Sequence, residues 1–218
     1  MVTAYEAGEG ELKFETRDAL DKLKQEIDIR FLREDVINLL IESMDGMQRV
    51  KRIVQDLKDF SRMGESEKLW ANLEQGLDST LNVASNELKY KADVVKEYAG
   101  IPDIECIPSQ LNQVFMNLLV NAAQSIEDYG TITLRTGLDG DKVWVEVQDT
   151  GAGIRPEHLG RIFDPFFTTK PVGRGTGLGL SISYGIVRQH GGQITVKSEL
   201  GSGTIFRVTL PIQVRSAV

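Results

Sequence analysis

Two asparagines on a predicted helix are the first residues of this sequence whose type and spacing could do chemistry. Asn117 and Asn121 are four residues apart, so their side chains share one face of a helix. The residues between them are apolar, and neutral amides on an apolar helix cost stability unless they have partners. The pair could be hydrogen-bonded core amides, or its oxygens could be ligands for Mg²⁺ held between phosphates.

A carboxylate followed by two glycines stands downstream of this helix. Asp149 ends a predicted strand in Asp149-Thr-Gly151-Ala-Gly153. Its carboxylate could accept a hydrogen bond from an exocyclic amine such as adenine N6, while the glycines let the backbone turn tightly against the base. The simpler alternative is an aspartate that opens a turn.

Two further glycine-rich segments follow, Gly173–Ser181 and Gly201-Ser-Gly-Thr204. The first leads into a predicted helix, and free N–H groups at a helix N-terminus favour an anion. Its spacing is not that of a P-loop, which excludes that class of enzyme. Lys170 precedes it, and we expect Lys170 or Arg174 to approach phosphates. Four such elements in one order predict an ATP site.

The elements that must position these residues show a mixed pattern from Leu69 onward. We expect helices on one face of a mixed sheet, an α+β two-layer α/β sandwich, because the strands are segregated from three helices. The predicted strands are Leu69–Leu73, Val94–Tyr98, Ile104–Ile107, Thr131–Thr136, Lys142–Gln148, Gln193–Ser198 and Thr204–Leu210. The predicted helices are Glu74–Lys91, the helix opened by Pro108, and Leu178–His190.

The first part of the chain is predicted to be helical. A short pattern covers Thr16–Arg30, and a longer one runs from about Arg33 to Arg62 with an apolar stripe. A stripe of this length predicts a helical hairpin that dimerises into a bundle; the alternative is a helix packed on its own domain. The stripe comprises Val36, Leu40, Met44, Met47, Val50, Val54, Leu57 and Phe60. Gly64–Lys68 is predicted to be a linker, so the expected domains are 1–64 and 65–218.

Composition excludes several classes of protein. Apolar residues make up 41% of the 218 residues, which suffices for a core. A formal charge of −7 argues against nucleic acid as a partner. The single cysteine, Cys106, excludes an internal disulfide, and with two histidines a zinc site is not expected. No apolar run approaches the roughly 18 residues of a membrane span, so we expect a cytoplasmic polypeptide without membrane contact.

Residues from about 70 to 212 resemble the catalytic ATP-binding domain of sensor histidine kinases, within the superfamily of gyrase, Hsp90-type chaperones and MutL. The matching motifs are the asparagine pair, Asp149-x-Gly, Phe163-x-Pro-Phe-Phe, Gly175-Thr-Gly-Leu-Gly-Leu and Gly201-x-Gly-Thr. Residues 33–62 resemble the second helix of the dimerisation and histidine-phosphotransfer hairpin. The resemblance implies a Bergerat-type ATP-binding fold, a homodimer through the hairpin, and a response regulator receiver domain as partner.

The same resemblance assigns a role to each motif. Asn117 and Asn121 would face Mg²⁺, Asp149 and Thr204 the adenine, and Gly175–Gly179 the phosphates of ATP. Asn117 and Lys170 would assist the transfer itself. The nucleotide site as a whole would comprise Asn117, Asn121, Asp149, Gly151, Gly153, Ile154, Lys170, Gly175, Thr176, Gly177, Leu178, Gly179, Leu180 and Thr204.

Two departures from the family pattern bear on activity. Gln113 stands where the family often has an acidic residue, which puts a base role there in doubt. The phosphoacceptor histidine is also missing: His158 and His190 both fall in the nucleotide domain, so we expect a donor fragment that begins after its acceptor. The main prediction is a phosphoryl-donating histidine kinase. The alternatives are a hydrolytic ATPase of the superfamily and a dimerisation module with a regulatory nucleotide site.

Overall fold

The computed structural model describes residues 29–61, 67–171 and 175–213. The chain divides into two compact units, residues 1–52 and 53–218. Several predicted features lie outside the described residues: most of the Thr16–Arg30 helix, the start of the Gly64–Lys68 linker, and Arg174.

Helix α1 spans Ile29–Ser61, which confirms the predicted long helix with an earlier start. The apolar side chains of its stripe are each more than half exposed in the single chain: Val36, Leu40, Met44, Met47, Val50 and Val54. The side chains of Leu57 and Phe60 lie outside the described residues. None of the described helices combines the length and hydrophobicity needed to span a membrane.

The remaining elements form the predicted mixed sheet with helices. The strands are β1 (Leu69–Ala71), β2 (Ala92–Glu97), β3 (Ile104–Cys106), β4 (Gly130–Asp139), β5 (Lys142–Asp149), β6 (Gln193–Glu199) and β7 (Gly203–Pro211). The helices are α2 (Leu73–Leu88), α3 (Pro108–Ser125), the short α4 (Pro156–Leu159) and α5 (Gly179–Gln189).

The main sheet has the order β2-β4-β5-β7-β6. Strands β2 and β4 are parallel and the other neighbours are antiparallel. Strands β1 and β3 form a separate antiparallel pair. Along β5 buried residues alternate with partly exposed ones, so one face of the sheet is covered. Helices α2, α3 and α5 supply that cover, because their apolar residues share one core with β4, β5 and β7.

Several boundaries differ from the sequence prediction by a few residues, and at Leu73 the type of element changes as well. Leu73 was expected to end a strand but begins α2, because the side chain of Asn72 accepts a hydrogen bond from the Gln75 N–H at 3.0 Å. An asparagine in that position caps the first turn of a helix. The strand therefore stops at Ala71.

Candidate functional site

Helix α3 directs its two asparagines away from the core. Leu118 and Leu119 between them are fully buried. Asn117 and Asn121 are only half-buried and lie one turn apart on the other side of the helix. The helix therefore presents two amides at the edge of the core, as the sequence predicts.

The amide of Asn117 connects α3 to the start of α5. Its Nδ2 donates to the carbonyl oxygen of Gly179 at 2.9 Å and to Ser183 Oγ at 3.2 Å. Ser183 in turn donates to the same carbonyl at 2.8 Å. The NH₂ group of Asn117 thus has hydrogen-bond partners within the protein. A metal ion would be bound by the other atom of the amide, Oδ1.

The amide of Asn121 already holds a cation. Lys170 Nζ donates to Asn121 Oδ1 at 2.9 Å and also to Gln124 Oε1. Burial lowers the pKa of the Lys170 ammonium. An ammonium ion on Oδ1 stands in for a metal cation at the oxygen that the sequence assigned to Mg²⁺. The donor set of neutral amide oxygens therefore fits Mg²⁺ carried by a nucleotide, and Asn117 and Asn121 would hold it.

The carboxyl group of Asp149 is almost fully buried at the end of β5, with 3% of the residue exposed. Its Oδ1 accepts hydrogen bonds from the Gly151 N–H at 2.8 Å and from Ser125 Oγ at 2.9 Å. The backbone of Thr204, its partner on β7, donates a further bond to the carboxyl group. Burial raises the pKa of Asp149 and these three bonds oppose the rise.

The turn after Asp149 packs directly on the end of α3. The Ala152 N–H donates to the Ser125 carbonyl oxygen at 2.9 Å. A Cβ at Gly151 would lie 2.1 Å from Ser125 Oγ, so only glycine fits there. Gly153 lies at the end of the same turn, against the carbonyl of Glu199. The close approach of the turn to α3 thus requires the first glycine of the predicted motif.

The second glycine-rich segment packs on the aromatic motif that precedes it. The Phe166 N–H donates to the Gly177 carbonyl at 3.0 Å, and Gly177 has a φ of 69°. A Cβ on Gly177 would lie 2.4 Å from the Phe166 carbonyl carbon. Phe166 itself has a φ of 66°, a conformation that L residues rarely adopt. The segment then enters α5 without a side-chain cap, so its first N–H groups are available to an anion.

The other predicted nucleotide-binding residues surround these groups. Thr204 is buried, and its Oγ1 lies 2.9 Å from Ser198 Oγ. Ser198 accepts from the Ile154 N–H at 2.8 Å. The remaining predicted residues lie in or beside the glycine-rich segment and the first turn of α5: Gly175, Thr176, Leu178, Gly179 and Leu180.

Both histidines have structural partners. His190 is 2% exposed; its Nδ1 lies 2.8 Å from the Ile186 carbonyl, and its Nε2 accepts from the Ile107 N–H at 3.0 Å. These contacts require a neutral ring with the proton on Nδ1, and burial lowers the pKa of His190 accordingly. His158 lies on α4 with its ring centroid 5.5 Å from that of Phe167. His190, the last residue of the predicted helix Leu178–His190, caps the C-terminal end of α5.

Sequence analysis missed two polar residues of α3. Gln124 accepts a hydrogen bond from Lys170, and Ser125 donates one to Asp149. Their helical spacing from Asn121 was the available indication, since positions three and four residues further on lie near the same face. Their partners, however, come from distant parts of the chain.

A cavity of about 420 Å³ lies apart from these residues, between α2 and the start of α3. Trp70, Gln75 and Asn112 contribute to its lining, and none of the predicted site residues does. Two of its polar groups are used by the fold, because Asn72 donates to Asp103 at 3.2 Å while capping α2. We therefore place the candidate site at the other end of α3.

Comparison with known proteins covers the part of the chain that carries the candidate site. Residues 106–214, half of the chain, match the family described as histidine kinase-, DNA gyrase B-, and HSP90-like ATPase. The chain is 43% identical to sporulation kinase E of Bacillus subtilis over 136 residues, 61% of this chain and 18% of that protein. It is 36% identical to the sensor histidine kinase ZraS of Salmonella typhi over 170 residues, 77% of this chain and 36% of that protein.

Among solved structures, the catalytic domain of the histidine kinase ThkA matches with a TM-score of 0.62 at 30% identity. The match covers 68% of this chain and 97% of that domain. The chain spans well under half of the length of the two curated relatives.

Proposed function

This chain belongs to the family of histidine kinase-, DNA gyrase B- and HSP90-like ATPases, and from that premise we propose that it is the phosphoryl-donor portion of a two-component sensor histidine kinase. It binds Mg-ATP and transfers the γ-phosphate to a histidine other than His158 and His190, the two that this sequence contains. The phosphoryl group then passes to the receiver domain of a response regulator.

One observation carries this proposal: a single face of α3 forms hydrogen bonds to three separate parts of the candidate site. Asn117 bonds to the start of α5, Asn121 to Lys170, and Ser125 to Asp149. The three positions are four residues apart, so they follow one side of α3 for two turns. A nucleotide lying along that side would meet an acceptor for its base at one end and donors for its phosphates at the other.

Each end of this helix face suits a different part of ATP. Asp149, with Thr204 beside it, accepts a hydrogen bond from the adenine amine, and Ile154 and the glycine turn flank the base. The N–H groups from Gly175 to Leu180, apart from that of Leu178, which donates to Thr176 Oγ1 at 3.3 Å, and the ammonium of Lys170 bind phosphate oxygens. Lys170 lies within reach of this role because its amino group already sits at Asn121.

Transfer in this arrangement depends on positioning and charge. Mg²⁺ bound to Asn117 and Asn121 would neutralise charge on the phosphates. The protein's own part is to hold the triphosphate between α3 and α5 so that its terminal group faces an incoming imidazole. The NH₂ group of Asn117 takes up no proton, and Gln113 one turn earlier is also an amide. Helix α3 therefore has no carboxylate of its own to activate water, which favours transfer over hydrolysis.

The exposed apolar residues of the long helix α1 indicate a protein partner. The exposed stripe of α1 from Val36 to Val54 would be buried by a second copy of the chain in a helical bundle. A homodimer with a receiver domain as the downstream partner, in the cytoplasm, completes the proposal.

Calorimetry with Mg-ADP and Mg-ATP tests binding, and incubation with a separate phosphotransfer hairpin and radiolabelled ATP tests donation. Binding followed by acid-labile label on the hairpin histidine is the expected result. Rapid phosphate release without label would instead favour the hydrolytic ATPase. Binding with neither label nor hydrolysis would favour a regulatory nucleotide site.

A further inference from the structure

The hydrogen bonds that Asp149 already accepts leave its carboxylate few acceptor positions for a ligand. An ionised carboxylate offers about four acceptor positions. Protein donors fill three of them: the Gly151 N–H, the Ser125 hydroxyl, and the backbone of Thr204. Two of the three converge on Oδ1, so the carboxyl group cannot rotate without breaking both. The single position that remains is therefore fixed in direction.

Of these three donors, only Ser125 is a side chain. The other two are backbone N–H groups, which the turn and the β5–β7 pairing supply without a side chain. Ser125 Oγ lies 2.9 Å from Asp149 Oδ1 and 2.8 Å from the Ala122 carbonyl oxygen. A hydroxyl has one proton for two acceptors, and the carboxylate is the stronger of the two because it carries charge.

The backbone of Ser125 fixes the same turn. Its carbonyl accepts from the Ala152 N–H at 2.9 Å, and the missing Cβ of Gly151 lets the turn lie against Oγ. Ser125 is also the last residue of α3, one turn beyond Asn121. The residue thus joins the helix that carries the proposed metal ligands to the carboxylate that faces the base.

We propose that Ser125 is a positioning residue for base recognition, whose hydroxyl holds Asp149 so that its one remaining acceptor position meets the exocyclic amine of a 6-aminopurine. This inference rests on the proposed function. A 6-oxopurine has a carbonyl oxygen in place of the 6-amino group, so two acceptors, this oxygen and the Asp149 carboxylate, would face each other. Ser125 therefore contributes to the choice of adenine over other purines, although it need not touch the nucleotide.

The test compares two nucleotides and two serines. The probes are Mg-ADP and the Mg-diphosphate of purine riboside, which lacks the 6-amino group. Ser125→Ala is expected to weaken ADP binding about tenfold, the size of one hydrogen bond to a charged group, and to leave the amine-free nucleotide within about twofold. The control is Ser79→Ala on α2, which also removes a hydroxyl bonded to a helix carbonyl, at 2.9 Å from Gln75 O. It should change neither affinity.

Ser125→Cys provides a second variant, since its thiol keeps a side chain of similar shape and donates only weakly. It should move the ratio of the two affinities in the same direction by a smaller factor. Thermal unfolding shows whether each variant is folded. An unchanged ratio in a folded variant, or equal losses for both nucleotides, would overturn the positioning role. Failure of the unmodified protein to bind ADP at all would instead overturn the proposed function on which it rests.

Discussion

The variant Asp149→Asn tests whether this side chain recognises the base of the nucleotide. The two side chains have the same shape, and Oδ1 of the amide can keep the bonds from Ser125 Oγ and the Gly151 N–H. The second oxygen of the carboxyl group becomes an NH₂ group, which cannot accept the bond that the Thr204 backbone donates to the carboxyl group, so the folding of the variant is measured separately. If that atom faces the adenine amine, an acceptor is replaced by a donor and two donors are brought together.

The size of the effect follows from the burial of this group. Asp149 is 3% exposed, so water cannot satisfy the mismatched amine once the site is closed. Leaving a polar group unpaired in a closed pocket costs about 1–3 kcal/mol. That range corresponds to a Kd for Mg-ADP that rises by about 5- to 150-fold.

The pH dependence of binding gives a second measure of the same carboxylate. Because burial raises the pKa of Asp149, its proton is taken up at a higher pH than by an ordinary aspartate. Protonation removes the acceptor, so ADP affinity should fall as the pH is lowered toward that raised pKa. Asp149→Asn has no such proton, and its affinity should be flat over the same interval.

Titration calorimetry with Mg-ADP measures both effects, and thermal unfolding confirms that the variant is folded. Asp93→Asn is the matched control, because Asp93 is exposed on β2 and makes its side-chain bond to Tyr129. The control should leave affinity unchanged. A folded Asp149→Asn protein that binds ADP as tightly as the original would remove Asp149 from the nucleotide site.

Three further predictions test the metal, the dimer and the acceptor. Asn121→Ala should weaken nucleotide binding by about 1–2 kcal/mol with Mg²⁺ present and by less in EDTA, measured by calorimetry; equal losses would argue against a metal ligand. Val50→Glu should convert a dimer into a monomer in sedimentation, because an unpaired buried charge costs several kcal/mol, whereas Asn38→Glu, also exposed on α1, should leave it intact. An unmodified chain that sediments as a monomer at high concentration would refute the bundle. Radiolabelled ATP should leave the chain itself unlabelled, and acid-labile phosphate on His158 or His190 would contradict their structural roles.

Much of the fold was predictable because its patterns are local. Apolar residues alternate with others along β4 and β5, and this alternation indicates which side of each strand faces the core. The helical spacing of Leu111, Phe115 and Leu118 does the same for α3. Boundaries were less predictable, since Leu73 suits a strand and a helix equally. The side-chain cap of Asn72 decides between them, and the sequence prediction did not weigh it.

The sequence indicated a candidate site by residue type and spacing, but it indicated only part of the contacts among those residues. The spacing of the glycines indicated where the backbone packs closely against another part of the protein. Gly151 indeed has no space for a side chain. The neighbour it approaches, Ser125, belongs to a helix 24 residues away from Asp149, and no local pattern joins them. The contact of Lys170 with Asn121 spans 49 residues and was equally hidden. Such pairs depend on how α3 packs across β5, which only the folded chain defines.

The structure also gives a reason why position 117 carries an amide. The NH₂ group of Asn117 donates to the Gly179 carbonyl, and that oxygen already accepts from Ser183. A carboxylate at this position would have no proton to donate and would set its charge against the carbonyl oxygen at the start of α5. The same substitution would supply the base that water activation needs. Under the proposed function, the amide that links the start of α5 to α3 would therefore also withhold the base that hydrolysis needs.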